Sequence, residues 1–122
     1  MIPPMDWFPT QAREGLRARR ILITGADGML GRAFVEALAP LGDTVRVHPL
    51  PRERLDVTDQ RAVESCAALE PDIILHCAGL VIADQCEREP ALAHSVHVDG
   101  TRNVARLARA TGARLFFPQS FL

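Results

Sequence analysis

Short apolar runs alternate with amphipathic stretches along most of the chain. Runs rich in Ile, Leu, Val and Phe predict four strands, at residues 20–24, 44–48, 72–77 and 114–117. Apolar residues at helical spacing predict helices at residues 29–41, from a cap at Asp56 or Thr58 to residue 69, and at residues 90–111. Regular alternation of strands and helices is typical of a parallel α/β sheet.

The predicted strand at residues 72–77 lacks polar alternation, as expected of a parallel strand covered on both faces. Right-handed crossovers then predict an open Rossmann-type parallel sheet of about four strands, flanked by helices, in the order 3-2-1-4. Residues 19–122 would form this incomplete domain, and residues 1–18 a mobile or loosely docked N-terminal extension. Alternatively, Trp7 and Phe8 anchor the extension on the domain or on a partner.

The turn after the first strand carries evenly spaced glycines, in the run Gly25-Ala26-Asp27-Gly28-Met29-Leu30-Gly31. Gly25 permits the tight turn, Gly28 lets backbone N–H groups approach a pyrophosphate, and Gly31 lets the helix press onto the strand. Unpaired N–H groups and the positive end of the helix dipole favour a diphosphate there. The turn therefore predicts a dinucleotide site, although glycines needed only for packing would give the same spacing.

The end of the second strand bears on the choice of cofactor. It reads His48-Pro49-Leu50-Pro51-Arg52-Glu53-Arg54 and has no carboxylate at its tip, where an acidic residue commonly binds the ribose 2′-hydroxyl. Arg52 and Arg54 could instead meet a 2′-phosphate, so NADP(H) is slightly favoured over NAD(H). Glu53 keeps NAD(H) open, and two solvated arginines fit the same sequence.

Composition excludes several classes of function. A formal net charge of −1 argues against nucleic acid as a partner, and no apolar run approaches the length of a membrane span. The chain has no Tyr, and all 14 basic side chains are Arg, so it has no Lys. Cys66, Cys77 and Cys86 lack the spacing of a zinc site, so no metal is expected. Small buried thiols suit a reducing, cytoplasmic setting.

Several segments together resemble the extended short-chain dehydrogenase/reductase family, which includes epimerases and dehydratases, and most closely its dTDP-4-dehydrorhamnose reductase branch. The resemblance covers only the N-terminal half of such a protein. The matching segments are residues 21–25 with the glycine turn, 55–59, 71–79, 83–87 with 89–90, 100–105 and 112–115. The resemblance implies the cofactor-binding part of an NAD(P)H-dependent reductase whose substrate, in the intact enzyme, is a nucleotide sugar. An epimerase or dehydratase of the same family is the alternative.

The resemblance also implies roles for individual residues. Asp56 would hydrogen-bond the adenine amine, and Val57 would lie against the adenine ring. Cys77, Ala78 and Gly79, at the carboxyl end of the third strand, would line the path of the cofactor across the sheet. Open α/β sheets hold ligands at this edge, so the implied roles agree with the predicted topology.

Of the family's catalytic residues, the resemblance assigns only one to this chain. Ser120 matches the Ser or Thr that hydrogen-bonds the reacting oxygen of the substrate. The catalytic Tyr and Lys of the family would lie beyond Leu122, so the chain as given is expected to be inactive alone. His97 stands where the family usually has Asn, which keeps open a non-catalytic NAD(P)-binding or regulatory protein. An open sheet edge further predicts a possible homodimer or aggregation.

Overall fold

The computed structural model describes residues 8–79 and 87–119. The described strands are Arg20–Thr24 (β1), Arg46–Leu50 (β2), Ile73–His76 (β3) and Arg114–Phe116 (β4). The described α-helices are Thr10–Leu16 (α1), Met29–Leu38 (α2), Gln60–Ser65 (α3), Pro90–His94 (α4) and Thr101–Thr111 (α5). The 3₁₀ turns Ala39–Thr44 and Cys66–Leu69 follow α2 and α3, and a π-helical turn, Ser95–Gly100, joins α4 to α5.

The four strands are parallel and form one sheet in the order β2-β1-β3-β4. This confirms the predicted Rossmann-type sheet flanked by helices, whereas the predicted order 3-2-1-4 is wrong. Strand β3 lies beside β1, on the side away from β2, with Leu22 opposite Ile74. The carboxyl ends of β1 and β3 are therefore direct neighbours.

The outer edge of β2 gives a physical reason for this order. Arg46 donates its N–H to the carbonyl of Arg19, and the carbonyl of Leu50 accepts from the N–H of Ala26. Backbone groups alternate in direction along a strand, so the residues at odd positions of β2 face away from β1. Pro49 lies at such a position, inside the strand rather than after it as predicted, and has no N–H to donate. Because proline suits an edge, β2 ends the sheet and β3 pairs with β1.

The core has two parts, one on each face of the sheet. The part under α3 and α5 consists of Leu22, Leu55, Val57, Val63, Cys66, Ile74, Val104, Leu107 and Ala108. The part under α2 consists of Ile21, Ile23, Ala26, Leu38, Leu41 and Val45. Phe8 and Leu16, from the N-terminal residues and α1, pack against the second part. The predicted boundary at residues 18 and 19 stays a prediction.

Three details of the predicted helices change. Met29, predicted to be on the inner face of α2, is the first residue of that helix and is 85% exposed. Asp59 caps α3 by accepting from the N–H of Ala62, whereas the proposed cap Asp56 is engaged with Thr58. The single helix predicted at residues 90–111 is interrupted by the π-helical turn.

The β4 edge of the sheet exposes aromatic side chains. In the described part of the chain, β4 pairs only with β3, and Phe116 and Phe117 are exposed. The predicted homodimer stays a prediction. Among the described residues, no helix is both long enough and apolar enough to cross a membrane.

Candidate dinucleotide-binding cleft

A cleft opens at the carboxyl ends of β1 and β3, where open α/β sheets hold ligands. It is lined by Gly25, Asp27, Gly28, Arg52, Leu55, Asp56, Val57, Cys77, Ala78, Gly79 and Val96. The structure thus brings together most of the predicted cofactor-binding residues, from segments far apart in the sequence. Leu55 and Val96 were not predicted, and Met29, Leu30 and Gly31 lie outside the lining.

Two glycines of the turn are required by the fold itself. Gly25 has φ +60°, and a Cβ there would lie 2.6 Å from both N and Cα of Ala78. A Cβ on Gly31 would collide with the carbonyl oxygen of Gly25 and lie 2.7 Å from Cα of Ala26. These obstacles are backbone atoms, so no side chain can rotate out of the way. Gly25 therefore lets the turn pack against the end of β3, and Gly31 lets α2 pack against the turn.

Gly28 differs from the other two. Its φ of −78° and ψ of 173° suit any residue. A Cβ there would meet only the carbonyl oxygen of Gly25, at 3.4 Å. It faces the cleft at the N-cap of α2. Because glycine has no side chain, it makes no capping hydrogen bond to the helix. Packing among residues 8–79 and 87–119 therefore gives no reason for glycine at this position.

The start of α2 borders the cleft at its N-cap, Gly28. The first hydrogen bond of the helix runs from the N–H of Arg32 to the carbonyl of Gly28. The N–H groups of Met29, Leu30 and Gly31 precede it and lie at the positive end of the helix dipole. These three residues would therefore act through their backbone. The side chains of Met29 and Leu30 are exposed.

The turn is tied to the tip of β2. A carboxylate oxygen of Asp27 accepts from the backbone N–H of Arg52 at 3.3 Å. This contact braces the turn and places Arg52 at the rim of the cleft. It leaves the guanidinium of Arg52 outside the bond, so this side chain can face a ligand.

Asp56 forms the opposite wall of the cleft with Val57. Its Oδ1 accepts from the N–H of Thr58 at 2.9 Å and from the hydroxyl of Thr58 at 2.7 Å. These hydrogen bonds, together with the nearby charge of Arg52, hold the pKa of Asp56 below its usual value. The carboxylate is therefore ionised at neutral pH. Both hydrogen bonds with Thr58 use Oδ1, so neither of them involves Oδ2.

Asn103 positions Val57 in this wall. Its buried side-chain amide donates to the carbonyl oxygen of Val57 at 2.9 Å. A Cβ on Gly100 would lie 2.6 Å from Cγ2 of Val57, so only glycine permits this approach. The signal for Asn103 in the sequence was its polar amide beside the apolar stripe of the predicted helix, which requires a buried partner.

A buried hydroxyl lies beneath the floor of the cleft, which Cys77 and Ala78 form. The Oγ1 of Thr24 accepts from the N–H groups of Cys77 and Ala78, at 3.1 and 3.2 Å. Its single hydrogen is then directed to Nδ1 of His76, at 2.7 Å. The polar contacts of Thr24 thus fix the backbone at the end of β3. Thr24 and His76 were missed because they lie within runs interpreted only as strands, one for its β-branched residues and one for its apolar residues.

His76 is neutral and has a defined tautomer. Since Nδ1 accepts from Thr24, the ring proton lies on Nε2, which donates to the hydroxyl of Thr101 at 3.2 Å. Burial, and to a smaller extent the nearby His97, lowers the pKa of His76 from 6.5 to about 4. The ring is therefore uncharged in the neutral range and serves as a bridge between two hydroxyl groups.

The remaining candidates contribute less. Burial raises the pKa of the Cys77 thiol, so this side chain lines the cleft as a neutral group. His97 lies at the rim, where a Cβ on Gly79 would be 3.4 Å from its Nε2. Ser120, Cys86 and Trp7 lie outside the described residues.

Comparisons with known proteins agree with this arrangement. A family model described as the RmlD substrate binding domain matches residues 19–120. A dTDP-4-dehydrorhamnose reductase of Streptomyces griseus is 43% identical over 97 residues, which cover 79% of this chain and 31% of the relative. Methionine adenosyltransferase 2 subunit beta of Bos taurus is 34% identical over 123 residues, which cover 96% of this chain and 37% of the relative.

A solved structure is similar as well. The dTDP-4-dehydrorhamnose reductase of Bacillus anthracis in complex with NADP superposes with a TM-score of 0.75 at 36% identity, covering 80% of this chain and 35% of that one. The chain spans about a third of the length of the curated relatives it matches. The predicted resemblance is confirmed: the chain belongs to the RmlD substrate binding domain family, among the dTDP-4-dehydrorhamnose reductase-like proteins.

Proposed function

We propose that this chain is the dinucleotide-binding part of an NAD(P)H-dependent reductase that acts on a nucleotide sugar of the dTDP-4-dehydrorhamnose type. The observation that carries the proposal is Gly28. It is a glycine that the packing of the described residues does not require, at the positive end of a helix and facing a cleft. Close approach of a phosphate explains a missing side chain there.

The residues present fit an NAD(P) molecule. The N–H groups at the start of α2 would hold the pyrophosphate, and the ionised Asp56 can accept a hydrogen bond from the adenine amine. Val57 would lie against the adenine, and Ala78 and Gly79 would leave room for the nicotinamide end. The bound nucleotide would supply the hydride for reduction of a carbonyl group. The residues described here bind and orient the nucleotide, and Ser120 stays the candidate for contacting the carbonyl oxygen.

The preferred cofactor is proposed to be NADP(H), with NAD(H) as the second choice. Arg52 lines the cleft beside Asp56, and it is the cation placed to meet a 2′-phosphate. The Bacillus anthracis structure, a complex with NADP, supports this choice. Glu53, next to Arg52, is the carboxylate that could bind the ribose 2′-hydroxyl of NAD(H).

Calorimetric titration with NADPH tests the proposal through Gly28→Val. The branched side chain would occupy the space of the pyrophosphate, so we expect the affinity for NADPH to fall by about a hundredfold or more. Loss of the favourable N-cap glycine should cost about 1 kcal/mol or less in the free energy of unfolding. Gly15→Val is the matched control, since Gly15 lies in α1, where a Cβ meets nothing within 4 Å.

Affinity in Gly28→Val equal to that of the natural chain would contradict this placement of the pyrophosphate. Absence of heat for the natural chain at millimolar NADPH and NADH would contradict nucleotide binding altogether. Gly15→Val should bind NADPH like the natural chain, because α1 does not line the cleft.

A second candidate is a non-catalytic NAD(P)-binding subunit. The likeness to a protein named as a subunit, methionine adenosyltransferase 2 subunit beta, favours it. An epimerase or dehydratase would use the same cleft. The coding sequence after Leu122 separates these candidates: an in-frame Tyr-x-x-x-Lys supports an enzyme, and a stop codon supports a binding subunit.

A further inference from the structure

A chain of three polar side chains runs beneath the cleft and joins three elements. Thr24 ends β1, His76 ends β3, and Thr101 begins α5. The ring of His76 is bonded to the two hydroxyl groups, 2.7 Å from Thr24 and 3.2 Å from Thr101. Because both ring nitrogens are engaged, His76 fixes the distance between the sheet and the start of α5.

The two ends of this chain hold opposite sides of the cleft. At one end, Thr24 accepts from the N–H groups of Cys77 and Ala78, which belong to the floor. At the other end, Thr101 lies between Gly100, which packs on the side chain of Val57, and Asn103, which bonds its carbonyl oxygen. Val57 belongs to the wall.

We propose that His76 is a positioning residue that sets the spacing between the floor and the wall, so that a dinucleotide can contact both at once. This inference rests on the proposed dinucleotide binding. A small ligand that contacts the wall alone should not sense the spacing. A ligand that reaches from wall to floor should lose affinity when the spacing is released, since its second contact is then no longer preorganised.

NADPH and AMP are probes that separate these cases. Thr101→Val removes the hydroxyl that accepts from His76 and keeps the shape of the side chain. We expect it to weaken NADPH binding about tenfold and AMP binding less than about twofold, measured by calorimetry and by NMR titration. Thr101→Ser restores the hydroxyl and should recover NADPH affinity to within about threefold of the natural chain.

Thr111→Val is the matched control. Thr111 lies at the other end of α5, and its hydroxyl donates to the carbonyl of Leu107 in the same helix. This substitution removes the same group from the same helix without touching the cleft, so both affinities should stay within about twofold. Thermal unfolding of each variant establishes that it is folded at the temperature of the titration.

His76→Asn is a second test if Thr101→Val does not fold. The amide oxygen can still accept from Thr24, but the shorter side chain cannot reach Thr101, so the same selective loss of NADPH affinity is expected. The proposal is overturned if the folded variants bind NADPH like the natural chain, or if AMP affinity falls as much as NADPH affinity. If the natural chain binds neither probe, dinucleotide binding itself is wrong and this inference fails with it.

Discussion

The glycine turn, residues 25–31, is shaped by missing side chains, whereas the layer beneath it is held by side-chain hydrogen bonds. In the turn, two glycines satisfy the packing of the fold and Gly28 faces the cleft. In the lower layer, the hydroxyl of Thr24 and both ring nitrogens of His76 have partners within the protein. Packing of the turn and the hydrogen bonds of the lower layer should therefore control stability, and the lower layer should also set the spacing that NADPH binding requires. Gly28 should control affinity with little effect on stability.

Alanine substitutions within the turn give the sharpest test of this division. Gly31→Ala places a methyl group against the backbone of Gly25 and Ala26, which cannot move aside. We expect a loss of about 3 kcal/mol or more in the free energy of unfolding, measured by urea titration. Gly28→Ala, whose Cβ would be 3.4 Å from its only neighbour, should change the same quantity by about 1 kcal/mol or less.

Equal stability losses for the two alanine variants would show that Gly28 is also a packing glycine. In that case the argument for a ligand at Gly28 would lose its basis, because the missing side chain would already be explained by the fold.

The pH dependence of stability tests the lower layer. The folded protein lowers the pKa of His76 from 6.5 to about 4, so between these values the unfolded chain binds a proton that the folded chain does not. Stability should therefore be fully present above pH 6.5 and fall as the pH decreases towards 4. The loss attributable to His76 amounts to about 3 kcal/mol.

His76→Asn isolates this contribution from that of the other histidines. The variant should be less stable at neutral pH, because the bond to Thr101 is lost, and its stability should fall much less between pH 6.5 and 4. A slope as steep as that of the natural chain would show that another group is responsible. Urea unfolding at several pH values provides the measurement.

The two layers also differ in how far the sequence predicts them. The turn is contiguous, and its spacing of glycines between a strand and a helix is informative by itself. Thr24 and His76 are 52 residues apart, and His76 and Thr101 are 25 apart, so only the topology brings them together. The predicted strand order put β2 between β1 and β3, which excluded this contact. The outward-facing Pro49 was the signal for the correct order.

The smallest predicted effect concerns the choice between the two cofactors. Arg52 and Arg54 were equivalent in the sequence, but only Arg52 lines the cleft. Arg52→Ala keeps the backbone N–H that donates to Asp27, so the turn should remain braced. The variant should weaken NADPH binding by about tenfold or less while leaving NADH nearly unchanged, because one exposed cation facing a phosphate contributes only modestly.

Arg54→Ala, which removes the same charge two residues away, should leave the ratio of the two affinities unchanged. The difference between NADPH and NADH in the natural chain should also shrink as ionic strength rises, since the Debye length falls from about 30 Å at 0.01 M to about 10 Å at 0.1 M. Equal loss of NADPH and NADH in Arg52→Ala would place its effect on the shared part of the dinucleotide. Arg52 would then belong with the glycine turn as a general nucleotide contact, and cofactor preference would have to come from another part of the cleft.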